Sequence, residues 1–170
     1  MLNQALKHAN TVGFAAPSIE LGGSTVLAAD SAGLEALREA LPPLTRGRNR
    51  FPLVLPGHSA FHTPLMAPMA ACLVETPTFA QPQLPLVDGA GHVWEQSCDT
   101  AALRKYTIHD QVLTPYRFDT SLQVAINQWD PDVLVLLGPG ASLVGPIGQV
   151  LSVCRHYCCD FRAEKVTMRS

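Results

Sequence analysis

"PDVLVLLGPG", residues 131 to 140, is an unbroken Val/Leu run that stops at a Gly-Pro-Gly turn. A strand with one wet face alternates apolar and polar side chains. This one has no polar face, the pattern of a strand buried on both sides in the middle of a parallel sheet. The segments before it alternate in kind. "STVLAAD" (24–30) is β-rich, and "SAGLEALREAL" (31–41) follows, with Ser31 placed to cap a helix whose Leu34, Leu37 and Leu41 share one face. "PPLTRGRNR" (42–50) is a polar, proline-led turn, and "FPLVLP" (51–56) reads as the next strand. "PLMAPMAACLVE" (64–75) reads as a helix with Pro64 in its first turn, where a missing N–H costs nothing. Asp88-Gly89 between apolar flanks signals a tight turn. Residues 98–113 read as a helix capped by Asp99 or Thr100. Residues 118–129 read as another, with Leu122, Ala125, Ile126 and Trp129 on one face. Strands alternating with helices make the chain α/β.

The bulk composition agrees with a folded core. The 170 residues are 47% hydrophobic and 15% charged, a size near that of one domain. The net charge of −2 gives no reason to expect nucleic acid or an anionic membrane as partner. Mean hydropathy of +0.14 is slightly high for a small free-standing domain and fits a piece covered by more protein. No apolar run is long enough to span a bilayer, and "MLNQALKHAN" lacks the pattern of a secretory signal. Five cysteines are an odd number without disulfide-framework spacing, so reduced thiols in the cytoplasm are the expectation. The 14 prolines and 12 glycines are spread through the chain, with no linker, repeat or low-complexity block.

The chemistry concentrates in "LVLPGHSAFHTPLMAPM" (53–69). Gly57-His58-Ser59 has the opening of a nucleophile elbow, but that strained turn needs glycine two residues before and two after the serine. Position 61 is phenylalanine, so Ser59 is set aside. His62 follows an apolar stretch, and residue type alone leaves it open between a structural histidine and a general base. "CRHYCCDFR" (154–162) brings Cys154, His156, Cys158 and Cys159 close together, yet has no Cys-x-x-Cys pair and no second pair at finger spacing. It reads as a helix tail with incidental cysteines, and no metal is expected. Gly138-Pro139-Gly140 is no phosphate loop, because no Gly-Lys-Ser/Thr follows.

Three stretches together resemble the malonyl-CoA:acyl-carrier-protein transacylase family, which includes the acyltransferase domains of fatty-acid and polyketide synthases. "SAFHTPLMAPMA" (59–70) is similar to the segment around that family's catalytic histidine, "DQVLTPYRF" (110–118) to its Gln-x-x-x-Pro-Val-Arg-Phe segment, and "DVLVLLGPGASLVGP" (132–146) to the strand and loop that follow. Order and spacing agree over about residues 18 to 152. The resemblance implies the C-terminal half of an α/β-hydrolase-like acyltransferase core plus most of an inserted ferredoxin-like subdomain. Residues 1–55 would be the subdomain, incomplete, 56–155 the core half, and 156–170 a tail.

The resemblance also implies roles. His62 takes the catalytic position, a base that activates a serine against a thioester. Gln111 corresponds to the glutamine whose main-chain carbonyl holds the imidazole; a polar helix-end residue is the equal alternative. Phe61, with Ala60 before it, stands where a bulky ring narrows the pocket beside the acyl α-carbon, or else fills the core. His58 matches nothing and reads as a loop residue. The family's nucleophilic serine and its malonyl-binding arginine lie further upstream than the 61 residues before His62 allow. The expectation is therefore the C-terminal part of a longer enzyme, cytoplasmic and inactive alone. Malonyl-CoA would be its substrate, with no cofactor. Its expected partners are an acyl-carrier protein, the acyl-CoA thioester, and either the missing N-terminal half or a second copy of the chain, with no nucleic acid and no membrane. A non-catalytic, acyltransferase-like docking module is the alternative. Two departures mark a divergent member: Leu136 stands where an acidic residue is common, and Asp88 where asparagine is.

Overall fold

In the computed structural model, which describes residues 1–46, 49–72, 78–138 and 140–154, two apolar clusters organise a mixed α/β chain. The first lies under helices α1 (Leu2–Ala9) and α2 (Ser31–Ala40) and buries Ala5, Ala9, Ala15, Ala36 and Leu37. Small residues on both helices let them approach closely over strands β1 (Ala15–Glu20) and β2 (Thr25–Ala29). Asn10 makes the turn from α1 into β1. Its amide donates to the Leu6 and Ala15 carbonyls, and its side-chain oxygen accepts from the Ala15 N–H. Asp30, rather than Ser31, caps α2: one carboxylate oxygen accepts from the Gly33 N–H at 2.7 Å and the other from the Phe14 N–H at 2.9 Å. A carboxylate offers a separate oxygen to each of the two donors, whereas a hydroxyl has one oxygen to offer.

Strand β1 is antiparallel to β2 with an irregularity between Pro17 and Ile19, so that Ser18 is the extra residue of a bulge. A bulge is also where an interior strand tolerates a proline, which has no N–H for the ladder. On its other side β1 pairs in parallel with β7 (Tyr116–Arg117), giving the order β2-β1-β7. Two short hairpins complete the strands: β3 (Leu44–Arg46) with β4 (Asn49–Phe51), and β5 (Leu86–Val87) with β6 (Val93–Trp94). The first takes up much of what reads from sequence as a turn. The expected strand 51–56 keeps only Phe51, and Leu53, Val54 and Leu55 run on exposed.

The segment expected to be helical from 64 to 75 is one 3-10 turn (Pro64–Met66) followed by α3 (Ala67–Cys72); its last three residues lie outside the described ones. Residues 98–113 break into α4 (Thr100–Lys105), a π-helical turn (Tyr106–Asp110) and α5 (Gln111–Leu113), with Asp99 as the cap. Helix α6 (Phe118–Trp129) packs on α7 (Val144–Val153), and the second cluster buries Leu122, Ile126, Ile147, Val150 and Leu151 between them. Trp129 stays exposed. No helix among the described residues is long and apolar enough to cross a membrane.

The expected central strand is the main correction. Among the described residues nothing pairs with 132–138, and only Leu134 packs, against the α6–α7 cluster. Val133, Val135 and Leu137 are 73%, 75% and 94% exposed. A strand exists only through its neighbours' hydrogen bonds, and no described segment offers them. Gly138 and Gly140 both take positive φ, which glycine adopts at no steric cost, and Pro139 between them lies outside the described residues.

Apolar area left in water forfeits about 2.5 kcal/mol per 100 Å², against a stability of about 5–15 kcal/mol for an entire domain. We therefore expect the isolated chain to self-associate or to bind a hydrophobic dye strongly, as read by light scattering and dye titration. A dye-free monomer with a cooperative melt would show that the exposed run is tolerated without a cover.

Candidate functional site

The site is assembled from three places in the chain. His62 sits on the loop before the 3-10 turn with φ of +60°, a left-handed backbone uncommon outside glycine, in which histidine is enriched along with asparagine and aspartate. The loop is pinned on both sides of it. The Thr63 hydroxyl, 1% exposed, donates to the Ala60 carbonyl at 2.7 Å, and the hydroxyl of the buried Ser18 donates to the Phe61 carbonyl at 2.8 Å. The bulge in β1 explains how Ser18 reaches that far, since the extra residue leaves the ladder and re-aims its side chain.

Across the site, His62 Nδ1 lies 2.5 Å from the main-chain oxygen of Gln111. A carbonyl has no proton to give, so Nδ1 is the donor and the neutral ring carries its proton there. Nε2 is then left with its lone pair, the form of imidazole that can take a proton from a hydroxyl or thiol. The Tyr116 ring lies 5.3 Å from the imidazole and the Phe61 ring 6.4 Å, centroid to centroid. Phe61 is 49% exposed, so it lines the open side of the site rather than filling a core. Ala60 is half-buried, and its contribution is the carbonyl that holds Thr63.

Gln111 is held from behind. In the π-helical turn its N–H reaches back to the Tyr106 carbonyl, and its side-chain amide donates to the Thr107 carbonyl at 2.5 Å. Lys105 pins the same turn through Asp110 at 2.7 Å, and that contact, helped by His109, holds the Asp110 carboxyl below its ordinary range.

The β5–β6 hairpin closes the floor. Asp88, buried, accepts from the Ala90 and His92 N–H groups and from Trp94 Nε1, all at 2.9 Å. The expected Asp88-Gly89 turn is therefore an Asp-organised loop, and the positive φ falls on Gly91. Gly89 has a different reason to be glycine: a Cβ there would meet the Tyr116 ring at 2.3 Å. Its N–H donates to the Tyr106 hydroxyl at 2.6 Å, and its carbonyl accepts from the Arg117 N–H at 2.7 Å. A crevice of about 210 Å³ lies among Asp88, Gly89, Trp94, Tyr106, Gln111 and Tyr116. A wider hollow of about 590 Å³ near Leu84 and Glu95 shares no residue with it and holds no comparable chemistry.

His58 and Ser59 are exposed, no helix follows them directly as an elbow requires, and no hydrogen bond joins Ser59 to His62. Among the described residues no group of three His, Cys, Asp or Glu side chains is placed to hold a metal ion. His156, Cys158 and Cys159 lie outside those residues. Sequence reasoning passed over Ser18, Thr63, Tyr106 and Tyr116. Only Ser18 left a trace, the proline beside it in an otherwise β-rich stretch.

By sequence alone, no family model and no curated protein matches the chain. Its structure does find neighbours. An acyl-carrier-protein S-malonyltransferase from Burkholderia pseudomallei superposes with a TM-score of 0.71 at 22% identity, over 86% of this chain and 47% of that one. Over that stretch the chain has the fold of a malonyltransferase. A malonyl-transacylase solved with its type II polyketide acyl-carrier protein gives a TM-score of 0.63 at 20% identity, over 88% of this chain and 48% of that one. The acyltransferase domain from the second module of the salinomycin polyketide synthase gives 0.62 at 24% identity, over 88% of this chain and 34% of that one. The chain spans about half the length of the transacylases it matches.

Two measurements test this geometry. Replacing Ser18 by alanine leaves the Phe61 carbonyl without its donor, and we expect a loss of about 1–3 kcal/mol in denaturant unfolding; a change within error would make the bond incidental. The second concerns Tyr106. Burial, reinforced by the nearby Asp88 charge and opposed by the Gly89 N–H, raises its pKa from 10 to about 12. The folded chain then keeps a proton that the unfolded chain has lost, so this contribution is intact below pH 10 and disappears as the pH rises through about 12. Between those limits wild type should lose stability more steeply than Tyr106→Phe in thermal melts. Parallel curves would refute the assignment.

Proposed function

We propose that this chain is the histidine-bearing part of an acyltransferase that moves a malonyl group from coenzyme A to an acyl-carrier protein. The observation that carries the reading is the His62–Gln111 contact, which leaves Nε2 free as a base, found on a fold shared with malonyl transacylases. In the complete site a serine from a segment outside this chain attacks the thioester carbonyl. His62 Nε2 takes the serine proton as the new ester bond forms and returns it to the departing coenzyme A thiol as the C–S bond breaks. In the second half, Nε2 takes the proton of the carrier thiol and returns it to the serine oxygen as the acyl group leaves. Backbone amides beside the serine would stabilise the tetrahedral oxyanion. A neutral carbonyl behind Nδ1 fixes the tautomer without adding charge to the pocket.

In this reading Phe61 and Ala60 border the acyl α-carbon, and the ring at 61 selects against a methyl branch there. Residues 1–55 correspond to the ferredoxin-like subdomain, 56–155 to half of the hydrolase-like core, and 156–170 to a tail. The segment supplying the serine pairs with the open run 132–138 and covers Leu53, Val54 and Leu55. Malonyl-CoA is a substrate, and no bound cofactor is required.

The test combines the chain with a separately expressed segment carrying a Gly-His-Ser-x-Gly elbow. We expect no acylation of the chain alone by radiolabelled malonyl-CoA, and transfer to acyl-carrier protein once both parts are present. His62→Asn, which tolerates the left-handed backbone, should lower that transfer roughly 10²–10⁴-fold. Acylation of the isolated chain, traced by peptide mapping to one of its own residues, would overturn the division of labour. A tight complex without transfer would favour the docking module.

A further inference from the structure

A carbonyl inside a helix accepts from the N–H four residues on. For Gln111 that residue is Pro115, which has no N–H. The helical series stops one step short: the Thr114 N–H donates to the Asp110 carbonyl at 3.1 Å, and the Thr114 hydroxyl goes to that same oxygen at 2.8 Å. The next bond in the series, to Gln111, has no donor. Proline also disfavours helical backbone in the residue before it, and Thr114 is extended at φ −120° and ψ 146°. A last-turn carbonyl without a helical partner must find another or stay wet. That of Gln111 accepts from His62.

The other end of Gln111 is arranged to match. The π-helical turn diverts its N–H from the Thr107 carbonyl to that of Tyr106, and its own side-chain amide fills the vacancy at Thr107. Gln111 is thus fixed through its N–H and its side chain, and the oxygen opposite His62 is the group left open.

We propose that Pro115 is a positioning residue. By withholding a backbone N–H it keeps the Gln111 carbonyl for His62, and so sets which imidazole nitrogen carries the proton. The inference deepens the acyltransferase reading and rests on it for its meaning in catalysis, but its test does not depend on turnover. A carbonyl can hold two donors, as that of Asp110 does, so restoring an N–H at position 115 would act by letting α5 extend by one residue and draw the oxygen away from the imidazole.

The experiment is ¹⁵N NMR of the full chain labelled at histidine, with the His62 signals assigned by their absence in His62→Asn. In wild type the Nδ1–H tautomer should dominate at a pH where the ring is neutral. In Pro115→Ala the ratio of Nδ1–H to Nε2–H should fall about tenfold, the worth of one ordinary hydrogen bond. The new amide at position 115 should also exchange with solvent about tenfold more slowly than an open one. A folded Pro115→Ala chain with an unchanged tautomer ratio and a freely exchanging amide overturns the proposal. If that variant fails to fold, N-methylalanine placed at 115 by semisynthesis decides the matter, since it lacks both the ring and the N–H. It should keep the wild-type tautomer, and loss of that tautomer would mean that ring stiffness, not the missing donor, is responsible. A wild-type Nδ1–H tautomer in an assembled complex that transfers nothing would defeat the functional reading and leave this one standing.

Discussion

The hydroxyl of Ser18 on the Phe61 carbonyl and the parallel pairing of Ile19 and Glu20 with Tyr116 and Arg117 leave the same strand, β1, within three residues of each other. The first contact fixes the loop that carries His62. The second fixes the strand that follows Gln111 and Pro115. Two segments 49 residues apart therefore meet at hydrogen-bond distance because each is tied independently to one strand. A direct bond between mobile loops would have to repay the ordering of both. Here β1 carries that cost, and the imidazole contact is formed between parts already in place. The bulge at Ser18 looks like a defect in the β1–β2 ladder, yet it is what turns a sheet residue towards the loop.

The open run at 132–138 shows the opposite situation. Its side chains suit burial on both faces, but among the described residues no ladder forms along it. Local preference determines what a segment is able to become, and only a neighbouring strand makes it a sheet. The chain spans about half the length of the transacylases it matches, and in the proposed acyltransferase reading this face is the one a further segment covers.

This division also accounts for what was legible in the sequence. Helices α2, α4 and α6 and strand β2 came through because apolar spacing and, at α4, the Asp99 cap are local. The cap of α2 was misplaced by one residue, since the second donor that favours Asp30 over Ser31 lies on Phe14, far along the chain. The strands expected at 51–56 and 132–137 failed for want of partners that no local pattern encodes. The break of residues 98–113 into α, π and α turns was invisible too, because it depends on how Gln111 is used. His62, Gln111 and Phe61 were singled out through a short motif rather than from residue type. Their supports, Ser18, Thr63 and Tyr116, are ordinary residues whose importance appears only when distant segments meet.

One consequence of the β5–β6 hairpin is spectroscopic. The chain has two tryptophans. Trp129 is exposed, whereas Trp94 is half-buried, bonded to Asp88, edge-on to His92 at 4.5 Å and 6.1 Å from the Tyr106 ring. Tyr106 in turn holds Gly89 and passes its carbonyl to Gln111. The half-buried, hydrogen-bonded indole is thus only a few side chains from the imidazole, while the other lies 40% exposed. Intrinsic fluorescence therefore splits into a solvent signal and a site signal, giving an optical view of the crevice floor without any added label.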